Sequence, residues 1–272
     1  MIIRDKYNGN ADVDLVKDME RLAAGEPLAY IIGWIPFLGL KISLEPVTPD
    51  EEVKAGAPEA RPLIPRPETE WWTEKLIDHL QYRFGAHGTS PERPFQLLDL
   101  CAGSGAIGLA ILSHLPNAYV TFGELNSAHT ALIRHNLTLN NLDANRADIR
   151  TSDLFENLKD ERFDIIATNP PYIPDTRALD DNVTRYEPSE ALFSGSDGLT
   201  LIRRILKEAP QHLTRNRGDE TGSGELWMEC DIENIAEAEK YARAAGAGET
   251  TIHPDLYGRP RLLIATFPQL PV

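Results

Sequence analysis

From Phe95 to Phe267 the chain alternates short apolar runs with amphipathic stretches, and this alternation restricts its fold more than any other feature. Gln96–Leu100, Tyr119–Phe122, Ile149–Ser152, Phe163–Thr168, Leu226–Glu229 and Arg261–Phe267 have the length and the apolar, partly β-branched composition of strands. Helical spacing is carried between them by Ala106–Leu115, by a stretch from Ser127 with Ala128, Leu132 and Leu139 on one face, by Leu199–Leu213 and by Ile235–Ala245. Strands that alternate with helices form a parallel sheet covered on both faces, so the predicted class is α/β. There is no internal repeat.

The front of the chain reads differently. Residues 12–24 fit one short helix, with Val13, Val16 and Leu22 as apolar markers and Gly25 near its end. Leu28–Leu44 breaks its apolar runs with Gly33, Pro36 and Gly39 and is expected to be a β-hairpin. Residues 45–62 are polar and rich in Pro and Ala, an expected loop. Pro65–Glu70 opens an apolar-periodic stretch to about Leu80, an expected helix, and residues 83–94 and 215–224 are expected connections. The division that follows is an accessory segment over 1–64 and a main domain over 65–272.

Of the 272 residues 25% are charged, and the net charge is −15. General binding to bare nucleic acid needs clustered Lys and Arg to replace phosphate counterions, so none is expected. No apolar run approaches the ~18 residues of a membrane span, and "MIIRDKYNGN" has no signal-peptide core. Cys101 and Cys230 are the only cysteines and have no metal-ligand spacing. Two scattered cysteines suit a reducing compartment. A cytoplasmic protein is expected, and a monomer, with no metal and no membrane partner.

Two strand ends carry the chemistry. "LLDLCAGSGAIGLA", Leu97–Ala110, places Gly103 and Gly105 directly after the first strand, where backbone amides and a helix N-terminus can approach a ligand. Gly103 to Gly108 also satisfies the G-x-G-x-x-G dinucleotide pattern, which leaves an NAD-dependent oxidoreductase open. Glu124 ends the second strand, where a carboxylate can take both ribose hydroxyls of an adenine dinucleotide or of S-adenosylmethionine. Asp153 after the third strand can accept from an adenine amino group, with Leu154 against the ring. A solvated Glu124 and an Asp153 that only caps a turn are the plainer alternatives.

The fourth strand runs into "NPPYIPD", Asn169–Asp175. Two prolines stop the strand at the carboxyl edge of the sheet, where open α/β folds bind ligands. An amide nitrogen is a poor nucleophile because its lone pair is delocalised. Two acceptors aimed at its hydrogens fix its orientation and favour the charge that develops as it attacks. The Asn169 side-chain oxygen is one, and the Pro170 carbonyl, stiffened by Pro171, is the other. Tyr172 offers a flat face for a planar group. Positioning and electrostatics then suffice, without a general acid. Hydride transfer has no use for such a motif, whereas methylation of a planar amide or amine nitrogen does.

"DLCAGSGAIGLA" followed by "NPPYIP" resembles the S-adenosylmethionine-dependent amino-methyltransferases, a class with adenine-N6 and protein-glutamine members. "GEPLAYIIGWIPFLGLKI", "PLIPRPETEWW", "YEPSEALFSGSDGLTLIRRIL" and "HPDLYGRPRLLIATF" resemble the bacterial release factor glutamine methyltransferases, the HemK/PrmC family. An adenine-N6 enzyme acting on DNA or RNA is the alternative. The resemblance implies a Rossmann-like methyltransferase sheet with helices on both faces, preceded by a shortened N-terminal helix and β-hairpin. It implies methylation of the glutamine amide nitrogen in the Gly-Gly-Gln motif of class I peptide chain release factors. It places Cys101, Ala102, Gly103, Ser104 and Gly105 around the methionine and ribose of S-adenosyl-L-methionine, with Glu124 in place of the family's usual Asp. Leu154 stands where some relatives carry Trp. Asn169, Pro170, Pro171 and Tyr172 match unchanged. Arg66, Glu68 and Thr69 of "PRPETE" fall near the methionine end. The family's opening domain of several helices is represented by about 25 residues, and the loop over 45–62 is longer than the pattern.

Overall fold

The computed structural model describes residues 1–47, 60–84, 95–214 and 223–268. The N-terminal part contains helices α1 (Ile2–Asp5), α2 (Val16–Ala23) and α3 (Leu28–Ile32) and strands β1 (Trp34–Phe37) and β2 (Leu40–Ser43), followed by the long helix α4 (Pro67–Phe84). The alternating part then runs β3 (Phe95–Leu100), α5 (Ala106–His114), β4 (Ala118–Glu124), α6 (Ser127–Leu139), β5 (Ala147–Thr151) and β6 (Ile165–Thr168). It continues through α7 (Asp181–Tyr186), α8 (Thr200–His212), β7 (Gly224–Glu229), α9 (Ile235–Ala244), β8 (Glu249–Pro254) and β9 (Pro260–Phe267).

Seven strands form one sheet in the order β5-β4-β3-β6-β7-β9-β8. Successive strand residues point to opposite faces, and here both faces are apolar. Leu97, Ile165 and Leu262 join a buried cluster with Trp72, Leu76 and Leu80 of α4 and Leu109 and Ile111 of α5. Their neighbours Leu98, Ile166 and Leu263 join a second cluster with Ile202, Ile205 and Leu206 of α8 and Ala238 and Ala242 of α9. Phe37, Leu40, Ile42 and Leu44 of the hairpin enter the first cluster. Asn136 of α6, fully buried, fastens the hairpin to the glycine turn. Its Oδ1 accepts from the Ser43 amide at 2.8 Å, and its Nδ2 donates to the carbonyls of Ser43 at 3.1 Å and Ser104 at 3.0 Å.

The expected sheet needs corrections. The five strands β5, β4, β3, β6 and β7 are parallel, but β9 is antiparallel to β7 and β8 is antiparallel to β9. The sheet is therefore mixed. β8 escaped the reading because it is a polar edge strand, "ETTIHP", with only Thr250 buried. The hairpin is shorter than Leu28–Leu44. Leu28–Ile32 is helical, ended by Gly33 at φ 90°, and the turn Leu38-Gly39 takes φ 44° and 82°, the conformation that matches strand twist in a two-residue hairpin. α6 buries Leu132, Ile133, Asn136 and Leu137, while Leu139 is exposed. α2 is shorter than 12–24 and turns its apolar markers Val16 and Leu22 outward. Its inward residue is Asp18, which accepts from Lys6 Nζ at 2.7 Å and Tyr7 Oη at 2.8 Å. The short helices α1 and α7 were not anticipated. Most of the loop expected over 45–62, together with 85–94 and 215–222, lies outside the described residues.

Asp99 of β3 is completely buried, its Oδ2 accepting from the Gly108 amide at 2.9 Å. Burial pushes its carboxyl up to about 8, against the pull of that amide. An acid raised this way contributes most to stability below its unfolded value of about 4, and the contribution fades as pH rises toward 8. Asn at this position does not titrate. Urea unfolding of Asp99→Asn and the parent at pH 5 and pH 8 should show the variant gaining on the parent, on the order of 3 kcal/mol across that interval.

Candidate active site

The carboxyl ends of β3, β4, β5, β6 and β7 face one edge of the sheet, and there the N-terminal turn of α4 meets them through the Thr69 hydroxyl, which accepts from Asn169 and donates to Glu229. An open cleft lies along this edge. Of the residues singled out in the sequence, Cys101, Gly103, Glu124, Asp153, Leu154, Asn169 and Pro171 line it. Ala102, Ser104 and Gly105 are not in its lining. Ser104 is buried, its carbonyl held by Asn136, and Gly105, at φ 82°, is the cap that turns the chain into α5. Sequence reasoning missed Leu63, His129, Ser152, Glu190, Ala191 and Leu201, which also line the cleft.

Glu124 is 7% exposed. Its Oε2 accepts from the Gly103 amide at 2.7 Å and its Oε1 from the Asn126 amide at 2.9 Å, while His129 Nδ1 lies 3.5 Å from Oε1. Burial opposes its charge, but the His129 contact and the two amides outweigh burial and hold the carboxyl below its usual range. A carboxylate fixed between two strand ends is ready to accept from a diol. The Cys101 thiol is pushed upward by burial and then by Glu124, so it is a neutral wall and no nucleophile. Cys101 and Leu154 both sit at positive φ, 58° and 49°, the backbone strain that collects at ligand sites. The Asp153 side chain is half-buried and pairs with Arg204 at 3.1 Å.

A second, smaller pocket, with a cavity volume of about 60 Å³, adjoins the cleft and is lined by Leu63, Arg66, Asn169, Pro170, Tyr172, Ile173, Ala191 and Leu192. The two share Leu63, Asn169 and Ala191, so Asn169 stands where one opens on the other. Its Nδ2 donates to Thr69 Oγ1 at 3.1 Å. Arg66 pairs with the buried Glu187 at 2.7 Å, and Glu68 turns away to Arg259 at 2.8 Å. The Tyr172 hydroxyl donates to Glu229 at 2.8 Å. Loss of solvent, followed by that carboxylate, holds the phenol well above its usual range. Behind the loop the Tyr172 carbonyl accepts from Asn234 Nδ2 at 2.9 Å. Gly198 passes so close that a Cβ there would lie 2.2 Å from the same oxygen, which is what the glycine in "SGSDGL" provides.

Among the described residues no group of three or more His, Cys, Asp or Glu could hold a metal ion, and no helix is long and apolar enough to cross a membrane. What the edge of the sheet offers is a larger cleft, a smaller one beside it, and an amide side chain that lines both.

Residues 73–186 match the family described as "Methyltransferase small domain". A release factor glutamine methyltransferase from Deinococcus radiodurans is 31% identical over 96% of this chain and 82% of its own. Another, from Streptococcus pneumoniae, is 34% identical over 84% of this chain and 70% of its own. Among solved structures, a T. thermophilus 16S rRNA N2 methyltransferase in complex with AdoMet and guanosine has a TM-score of 0.51 at 21% identity. It covers 86% of this chain and 49% of that one, a likeness of fold. With relatives of this identity covering most of its length, and a cleft and Asn-Pro-Pro-Tyr loop placed as described, the chain belongs to the release factor glutamine methyltransferase family.

Proposed function

We propose that this enzyme transfers a methyl group from S-adenosyl-L-methionine to the side-chain amide nitrogen of the glutamine in the Gly-Gly-Gln motif of class I peptide chain release factors. The observation that carries this reading is the junction at Asn169, which borders both the cofactor cleft and the smaller cavity.

The cleft fits the cofactor. Glu124, Asp153 and Glu190 give it an acidic lining that suits a sulfonium cation, and Glu124 lies at the strand end where a ribose diol binds. Leu154 and Leu201 supply apolar surface for an adenine ring. The bound cofactor supplies an electrophilic methyl group on sulfur. The protein presents the nucleophile: Asn169 Oδ1 and the Pro170 carbonyl accept from the two amide hydrogens, and Tyr172 bounds the plane. These contacts strengthen as the nitrogen becomes positive, so they favour the transition state over the bound substrate. When bound there, S-adenosyl-L-methionine would supply the methyl group from its sulfonium sulfur, the S–C bond breaking as the N–C bond forms, and the proton shed by the amide nitrogen would pass to solvent.

A single polypeptide acting on a protein substrate, without nucleic acid, is part of this proposal and is supported by the net charge of −15. So is the division into an accessory segment over 1–64 and a catalytic domain over 65–272. Mass spectrometry of purified release factor incubated with enzyme and cofactor should show one added methyl group on the glutamine of its Gly-Gly-Gln peptide. Methylation of duplex DNA without methylation of the release factor would replace this reading with the adenine-N6 one.

Asn169→Ala should leave the fold intact and lower turnover by about 10²–10³, the scale for one preorganised polar group. Cofactor affinity should change much less. Glu124→Ala should weaken cofactor binding by about 1.5–3 kcal/mol, the scale for hydrogen bonds to a charged group, as read by calorimetry. An unchanged dissociation constant would remove Glu124 from the site.

A further inference from the structure

The amide of Asn169 has two ends, and only one of them can serve a glutamine amide. If Nδ2 faced the substrate, donor would meet donor and the orientation would be lost. Nothing in the Asn-Pro-Pro-Tyr loop itself decides which end points inward. The decision comes from Glu229, the last residue of β7, which is 1% exposed. Its Oε2 accepts from Thr69 Oγ1 at 2.7 Å and from Trp72 Nε1 at 2.7 Å, and its Oε1 from Tyr172 Oη at 2.8 Å.

An indole N–H can only donate, and an ionised carboxylate can only accept. The Thr69 hydroxyl therefore spends its single proton on Glu229 and turns a lone pair toward Asn169. The group 3.1 Å away must then be the amide's NH₂ end. Oδ1 is left for the substrate, and among the described residues no donor holds it. We infer that Glu229 and Thr69 form a polarity relay, positioning residues that act through Asn169 to fix which end of its amide faces the glutamine. Glu229 sets the direction of the hydroxyl, and the hydroxyl sets the direction of the amide. The same carboxylate steers the Tyr172 phenol, so both side chains of the loop are aimed by one buried group.

This rests on Asn169 as the group that orients the glutamine, and the test separates the two. Turnover of Asn169→Ala against the parent on release factor tests that reading. The ratio between variants and parent tests the relay. Thr69→Val keeps the volume and removes the lone pair, so the amide is free to turn over. Its kcat should fall about 10- to 100-fold, the scale for misaligning a reacting group, with the dissociation constant for S-adenosylmethionine unchanged. Thr69→Ser restores the hydroxyl and should recover most of the turnover. Thr69→Ala has the same expected loss as Val and serves if Val does not fold.

The decisive arm is a double-mutant cycle. Residues that act as a unit are non-additive, so Thr69→Val placed on Asn169→Ala should cost no further turnover. Two results would overturn the relay. One is parental kcat in both Thr69→Val and Thr69→Ala. The other is a loss from Thr69→Val that is as large without Asn169 as with it.

Discussion

The carboxylate of Glu229 organises this edge of the molecule. It is buried, and a buried charge is tolerated only when its lone pairs are used. Thr69 and Trp72 come from α4, and Tyr172 comes from the loop after β6. Each donor uses one of the carboxylate's lone pairs, so the helix, the loop and the strand are brought to one geometry by one desolvated group. That constraint explains why α4, which precedes the sheet in the chain, is held at the carboxyl edge of its strands. Its first turn is held against the end of β7 by hydrogen bonds and not only by the apolar contacts of Trp72 and Leu76 further along.

Much of this was legible in the sequence, because the signals were local. A strand, a glycine turn and a helix follow one another within Leu97–Ala110, and Asn169–Tyr172 directly follows its strand. What a short window contains can be read from a short window. Glu229 is 160 residues from Thr69 and 57 from Tyr172, so no spacing announces their meeting. A weaker signal was present, since Glu229 ends a strand just as Glu124 does. A carboxylate at the carboxyl end of a parallel strand is a candidate wherever it falls.

The errors have the same origin. β8 has almost no buried residues, so its place is set by pairing with β9 and not by composition. α2 exposes Val16 and Leu22 and buries Asp18 because Lys6 and Tyr7 supply donors to it, an inversion that apolar spacing cannot foresee. Within the glycine turn, Ser104 is packed inward, its carbonyl held by Asn136, a placement that the spacing of the glycines does not announce.

Asn136 carries a different consequence. One fully buried amide completes the backbone of the N-terminal hairpin at Ser43 and of the glycine turn at Ser104. The hairpin is thereby mechanically joined to the wall of the larger cleft, although none of its residues lines it. Ordering the turn around a ligand and ordering the hairpin draw on a common free energy, and linkage requires that the effect run equally in both directions. A protein surface that shifts the hairpin would thus shift the glycine turn with it, without touching the turn.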